Sequence, residues 1–271
     1  MDAAQVLGAR PFLIAGPCVV EDDRLNIAVG EQLAALSQRL GLPVVYKASF
    51  DKANRSRLAA GRGPGMEEGL RQLAKVRDAT GLPVLTDVHE TAQCAAAAQV
   101  ADALQIPAFL CRQTDLLVAA GKTGLPVNVK KGQWMPPEGM AGAVEKVRGG
   151  GAPIVAVTER GSFFGYGDLV VDMRNFARLR QACRAPVVFD ATHSVQQPGK
   201  GAAGSSGGLR EFIPPLMMAA AAAGCDGFFI ETHPDPDRAP SDGANMWRLD
   251  QLAELLERTL SVWHSAQRQP A

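Results

Sequence analysis

The 271-residue sequence has no excess of either charge, since 28 Lys and Arg are matched by 28 Asp and Glu. A formal net charge of zero leaves no global field to recruit nucleic acid or an anionic membrane. No run reaches 18 uninterrupted apolar residues, and the N-terminus carries Asp2 and Gln5 rather than a cationic stretch before an apolar core. Neither a membrane span nor a signal peptide is expected. The five cysteines, Cys18, Cys94, Cys111, Cys183 and Cys225, are odd in number, scattered, and include no Cys-x-x-Cys pair. That spacing argues against a disulfide framework and fits a reducing cytoplasm, so any functional cysteine must be argued singly.

What is present is local. In residues 43–57 the apolar run Pro43-Val44-Val45-Tyr46 breaks into Lys47, Lys52, Arg55 and Arg57, with Asn54 and Ser56 between the charges. Cations concentrated just past a buried strand, with hydroxyl and amide groups interleaved, suit anion binding better than a solvated charge run.

A repeated punctuation runs along the chain: Gly41-Leu-Pro43, Gly81-Leu-Pro83, Gly124-Leu-Pro126, Gly151-Ala-Pro153 and Arg184-Ala-Pro186, each followed by a Val- or Ile-rich run. Glycine ends helices in left-handed geometry, and proline is tolerated at the first residue of a strand. The pattern predicts strands at 12–16, 43–49, 83–88, 103–107, 126–131, 154–160, 186–192 and 227–232. Helical spacing falls between them at 25–40, 66–80, 91–99, 113–121, 138–148, 174–183, 211–223 and 247–264. Eight near-continuously apolar strands alternating with helices in this length imply a single-domain (β/α)8 TIM barrel rather than an open doubly wound sheet. The domain would span 1–271, with short tails at 1–11 and 265–271.

In a barrel the strand C-terminal ends converge on the face that carries active sites. Here they read Gly16-Pro-Cys18, Lys47 to Arg57, Thr86-Asp-Val-His89, Gln105-Ile-Pro107, Asn128-Val-Lys-Lys131, Glu159-Arg160, Asp190-Ala-Thr-His193 and Glu231-Thr-His233. Unpartnered burial of so many polar groups would cost about 1–3 kcal/mol each, which favours a ligand-binding face. One set is cationic: Lys47, Lys52, Arg55, Lys130 or Lys131, and Arg160. Alternation with Val127 and Val129 makes Lys130 the inward member. For Arg160 the competing role is a salt bridge to Glu159. A second set, Cys18, His193, Glu231 and Asp242, suits a divalent ion such as Zn²⁺, Fe²⁺ or Mn²⁺, although a lone buried cysteine is more often a small hydrophobe. The Gly- and Ser-rich stretch 196–210 reads as a mobile loop beside His193, either a lid or a tolerated insertion.

Taken together the motifs resemble the 3-deoxy-D-manno-octulosonate 8-phosphate synthases, over about residues 11 to 250. The resemblance rests on Ile14-Ala-Gly-Pro-Cys18, Lys47-Ala-Ser-Phe-Asp-Lys-Ala-Asn-Arg-Ser56, Leu85-Thr-Asp-Val-His89, Gln105-Ile-Pro-Ala-Phe-Leu-Cys-Arg-Gln-Thr-Asp115, Asn128-Val-Lys-Lys-Gly-Gln133, Glu159-Arg-Gly-Ser162, Phe189-Asp-Ala-Thr-His-Ser194 and Glu231-Thr-His-Pro-Asp-Pro236. It implies a transferase that condenses phosphoenolpyruvate with arabinose 5-phosphate on the route to the lipopolysaccharide sugar KDO. Lys52, Lys130 and Arg160, with Lys47 beside them, would cradle phosphoenolpyruvate. Asn54, Arg55 and Ser56 would bind arabinose 5-phosphate, with Gln105 lining the site and Arg112 reaching the sugar phosphate from a neighbouring subunit of a homotetramer. Cys at position 18 and Ser241-Asp-Gly243 match the metal-dependent class, so Cys18, His193, Glu231 and Asp242 would hold the metal.

The sister 3-deoxy-arabino-heptulosonate 7-phosphate synthases use erythrose 4-phosphate and typically carry Lys-Pro-Arg-Thr where this chain has Lys52-Ala-Asn-Arg55. The Asn54 amide can hydrogen-bond sugar hydroxyls, which a proline side chain cannot. Other candidates are a sialic-acid-type synthase taking an unphosphorylated sugar, a Schiff-base aldolase using one strand-end lysine, and a noncatalytic sugar-phosphate sensor.

Overall fold

The computed structural model describes residues 1–268 apart from 56, 166 and 202–206. Strands β1 (Phe12–Gly16), β2 (Val44–Lys47), β3 (Val84–Asp87), β4 (Ala103–Ile106), β5 (Val127–Lys130), β6 (Val155–Glu159), β7 (Val187–Asp190) and β8 (Gly227–His233) lie side by side in chain order. Neighbours are parallel, and β8 returns to β1 in a register running from Phe12↔Gly227 to Gly16↔Glu231. The sheet is therefore closed, as the alternation of eight strands with helices predicts.

Helix α1 (Ala3–Gly8) precedes β1, and one helix follows each strand: α2 (Asp23–Leu40), α3 (Met66–Thr80), α4 (Thr91–Ala97), α5 (Thr114–Lys122), α6 (Ala141–Gly150), α7 (Asn175–Cys183), α8 (Ile213–Ala222) and α9 (Leu252–Gln267). The Gly-x-Pro signals work as expected. Gly41 and Gly81 close α2 and α3 at φ 59° and 69°, their N–H groups donating to Ser37 and Arg77 carbonyls. Pro43 and Pro83, which have no N–H to give, accept from Leu13 and Tyr46 and so start β2 and β3 in register.

The segment 1–11 is not a tail. Asp2 and Gln5 form a capping box on α1, and Val6 and Leu7 are buried against Phe12, Ile14, Val45, Leu85, Val188 and Phe229. This short helix closes the N-terminal mouth of the barrel. Six residues are too few for periodicity to declare a helix, so tertiary burial decides it.

The strand period of two sets up the other mouth. Along the inner face six of the eight strands place an apolar residue low and a polar one above it: Val45 then Lys47, Leu85 then Asp87, Ala103 then Gln105, Ala156 then Thr158, Val188 then Asp190, Phe229 then Glu231. The alternate residues, such as Val44, Tyr46, Val127 and Val129, join the larger core under the helices. Gly16 ends β1 because of crowding: a Cβ there would lie 2.1 Å from the Lys47 carbonyl oxygen.

Candidate active site

Much of the polar inner layer is hydrogen-bonded to itself. Asp87 accepts from Gln105, Gln105 accepts from Asn128 at 2.8 Å, and Asn128 accepts from Thr158 at 2.7 Å, a hydrogen-bonded arc across β3 to β6. Ser49 donates to the other Asp87 oxygen. Gln105, expected as a pocket residue, is thus a buried member of this arc. Burial alone would raise the Asp87 carboxyl, but Lys47 and Lys52 hold it well below the usual carboxylate range.

The expected cations converge above this floor from the ends of β2, β5 and β6. Lys47, 2% exposed, donates to the Cys18 carbonyl at 3.2 Å, Ser49 Oγ at 3.0 Å and Glu231 Oε1 at 3.2 Å. Lys52 Nζ reaches the same Ser49 hydroxyl at 3.1 Å and lies 4.0 Å from Glu231. Burial would lower its ammonium, but Cys18, Glu231 and Asp87 hold it above the ordinary lysine range. Lys130 is the inward member of its pair: its Nζ pairs with Asp190 and sits 3.3 Å from the centre of the Phe229 ring. Burial pushes this ammonium below its ordinary value. Lys131 faces the other way, donating to the carbonyls of Gly132, Met135 and Gly161 and pairing with Glu159 at 3.4 Å.

Glu159 is committed to Lys131, the Gly161 N–H and Asn175, so the alternative Arg160–Glu159 bridge is not formed. Adjacent strand residues point to opposite faces, which leaves Arg160 inside. Its Nη2 donates to Gln196 Oε1 at 2.6 Å, and its Nη1 is buried without a partner among the described residues.

The four expected metal ligands meet on this face as well. Cys18, Glu231 and Asp242 present ligand atoms that all lie within 4.8 Å of one another. The Cys18 thiol donates to Asp242 Oδ2 at 3.1 Å, and His193 Nε2 is 3.8 Å from Glu231 Oε2. His193 Nδ1 is 3.0 Å from Asp190 Oδ1, which leaves Nε2 directed at the carboxylate. Burial and the neighbouring Glu231 push the Cys18 thiol well up. A buried thiol and two carboxylates beside an imidazole, with Glu231 Oε2 buried and without a hydrogen bond among the described residues, fit a borderline divalent ion.

The sugar-side residues sit nearer solvent. Arg55 ties the loop after β2 to the loop after β8, donating to the Gly61 carbonyl at 2.7 Å, Ser241 Oγ at 2.7 Å and the Pro240 carbonyl at 3.3 Å. Asn54 is exposed beside it. Ser56 lies outside the described residues. Arg112 is exposed in the loop after β4, the same loop that carries Phe109, whose half-exposed ring stacks on that of Trp134 with centroids 6.0 Å apart. It does not reach the cation cluster of its own chain through any described hydrogen bond or ion pair. Of the 196–210 loop, Gln196–Gln197 pairs with Gly207–Gly208 as a small antiparallel ribbon, while 202–206 fall outside the described residues.

Asp87, Asp190 and Gln196 carry much of this geometry, and sequence reasoning gave none of them a role. Asp87 and Asp190 were visible as polar strand ends. Gln196, in a low-complexity stretch, carried no signal.

Buried lysines and an arginine from separate strand ends, around a thiol–carboxylate–imidazole cluster, define a barrel enzyme acting on anionic small molecules. The chain belongs to the DAHP synthetase I family, whose model matches residues 5–267. It is 56% identical over 250 residues to the 2-dehydro-3-deoxyphosphooctonate aldolase of Syntrophotalea carbinolica, covering 92% of this chain and 90% of the relative. The protein of the same name from Rhodopseudomonas palustris is 57% identical over 248 residues, covering 92% and 86%. That from Koribacter versatilis is 54% identical over 260 residues, covering 95% and 93%.

Proposed function

We infer that this chain condenses phosphoenolpyruvate with D-arabinose 5-phosphate and water, giving 3-deoxy-D-manno-octulosonate 8-phosphate and inorganic phosphate. The observation that carries the reading is the convergence of Lys47, Lys52, Lys130 and Arg160 from the ends of three strands, β2, β5 and β6, above a buried polar floor, in a chain more than half identical to enzymes named for this product. The name 2-dehydro-3-deoxyphosphooctonate aldolase and the synthase name denote the same enzyme, and KDO biosynthesis is its place. The heptulosonate synthase, a Schiff-base aldolase and a noncatalytic sensor are the weaker readings.

Lys52, Lys130 and Arg160 hold the carboxylate and phosphate of phosphoenolpyruvate, with Lys47 behind them. Asn54, Arg55 and Ser56 bind arabinose 5-phosphate, Arg55 and Ser56 at its phosphate and the Asn54 amide at its hydroxyls. C3 of phosphoenolpyruvate attacks the sugar aldehyde while water adds at C2, and the resulting bisphosphate hemiketal expels phosphate. No lysine imine is needed. Fixed cations stabilise the charge that develops on oxygen, and holding two substrates in one orientation supplies much of the barrier reduction. Cys18, His193, Glu231 and Asp242 would hold a divalent ion. Such an ion supplies Lewis acidity toward the aldehyde or an added water.

Homotetramer assembly, with Arg112 completing a neighbour's sugar-phosphate site, belongs to the same proposal. Its support is that Arg112 is exposed and that Phe109, in the same loop, and Trp134 are half-exposed. No helix among the described residues is long and apolar enough to cross a membrane. A cytoplasmic location is proposed from the unpaired cysteines and the phosphorylated substrates.

The test is phosphate release dependent on both substrates, with arabinose 5-phosphate and erythrose 4-phosphate offered in parallel and metal content measured on the same sample. Preference for the four-carbon sugar would overturn the substrate assignment.

A further inference from the structure

One side chain joins the two chemistries of the barrel mouth. Gln196 Oε1 accepts from Arg160 Nη2 at 2.6 Å, while Gln196 Nε2 donates to Asp242 Oδ1 at 2.9 Å. The link continues: Ser241 Oγ donates to Asp242 Oδ2 at 2.9 Å, and Arg55 Nη1 donates to Ser241 Oγ at 2.7 Å. A hydrogen-bonded chain therefore runs from the loop after β6, through the loops after β7 and β8, to the loop after β2. At one end stands an arginine expected on phosphoenolpyruvate, at the other an arginine expected on the sugar phosphate, and in the middle an expected metal ligand.

The chemistry of position 196 is restrictive. Its partners are a guanidinium that only donates and a carboxylate that only accepts when ionised, and a primary amide satisfies both at once. A carboxylate there would repel Asp242, and an ammonium would repel Arg160. The placement is built in: Gln196 follows the turn that carries His193, and the Gln196–Gln197 ribbon with Gly207–Gly208 fixes its backbone. Asp242 sits in the left-handed region at φ 53°, a conformation Asp adopts more readily than most residues with a Cβ, and the Gln196 amide holds its carboxylate there. With Nη2 held by Gln196, the unpartnered Nη1 of Arg160 is left to meet a substrate anion.

We propose that Gln196 is a positioning residue that sets Arg160 and Asp242 relative to one another, so that the anion subsite and the metal site are organised by one amide. The inference rests on the reading of the preceding subsection and assigns a role to a residue outside the expected ligand sets.

The test uses Gln196→Met in the full-length protein, which keeps the side-chain length and loses both hydrogen bonds. Mn²⁺ affinity is measured in the absence of substrates, KM for phosphoenolpyruvate at saturating Mn²⁺, and thermal unfolding on metal-free protein. The expected result is a Mn²⁺ Kd and a phosphoenolpyruvate KM each raised about ten-fold, the usual cost of losing a group that orients a metal ligand. At saturation kcat stays within about three-fold and the metal-free Tm is unchanged, because the residue does not touch the reacting atoms. A change in only one of the two constants overturns the proposal, as does a fall in metal-free Tm accompanying both losses, which would make the role one of packing. A wild-type protein that neither binds Mn²⁺ nor releases phosphate overturns the functional reading itself. Wild-type activity with an unaffected variant overturns the inference alone.

Discussion

Lys47 Nζ lies 3.2 Å from Glu231 Oε1, with the lysine side chain 2% exposed and the glutamate fully buried. The cation expected behind phosphoenolpyruvate and the carboxylate expected on a metal are therefore direct partners. Neither charge has water to fall back on. Breaking a buried pair by removing one member costs about 3–5 kcal/mol, because the other charge stays buried. Lys47→Met is expected to lower unfolding stability by an amount in that range, read from the urea midpoint at constant m-value, and to abolish phosphate release. An unchanged midpoint would mean that Lys52 compensates fully.

Asp87 makes acid stability predictable. Its folded carboxyl is held below its unfolded value by Lys47 and Lys52, so it contributes stability that is present above the unfolded carboxylate range and is lost as pH falls through the folded value. Unfolding free energy should fall as pH drops below about 5, with a slope of up to about 1.4 kcal/mol per pH unit from this one group. Urea unfolding between pH 3 and 6 should show a shallower slope in Asp87→Asn than in the wild type. Equal slopes would remove Asp87 from the linkage.

Metal dependence should appear in stability as well as in activity. An ion bound only by the folded state at 100 times its Kd adds about 2.7 kcal/mol. Chelation is expected to lower Tm and stop phosphate release, with both recovered on adding Mn²⁺ or Zn²⁺. Cys18→Asn should fold, since the position takes a small buried side chain, and should bind the ion more weakly. Full activity in protein verified as metal-free would sink the metal assignment.

Asn54 is exposed at the mouth, so its removal should touch recognition and not folding. One lost hydrogen bond of about 1.4 kcal/mol is a ten-fold effect. Asn54→Ala is expected to raise KM for arabinose 5-phosphate about ten-fold, leaving KM for phosphoenolpyruvate and Tm in place. Equal KM shifts for both substrates would place it elsewhere in the cycle.

Arg112 can be tested by complementation. Arg112→Ala and Lys130→Met homo-oligomers are each expected to be impaired. Mixed oligomers should regain activity, because some sites then receive an intact Arg112 and an intact Lys130 from different chains. No recovery on mixing, with mixed assembly verified by mass, would confine each site to one chain.

Much of this site was legible one strand at a time. Period-two alternation placed Lys130 inward and Lys131 outward, and the structure agrees. The same rule applied to Glu159 and Arg160 would have ruled out the bridge between them, which forms instead between Glu159 and Lys131. Helix α1 was invisible because its reason for folding is the barrel mouth it fills. Gln196 was invisible because an amide in a polar loop has no pattern until its two partners arrive.

The sequence by itself determined the barrel and the residues that crown its strands, because glycine's left-handed reach, proline's missing donor and the two-residue strand period are local properties of the backbone. Tertiary structure alone decided the partnerships: Cys18 meets Asp242 across 224 residues, and Arg160 meets Gln196 across 36. The first contact exists only once β8 closes on β1, and the second needs β6 and β7 paired side by side, so both depend on sheet pairing that no local stretch of sequence specifies.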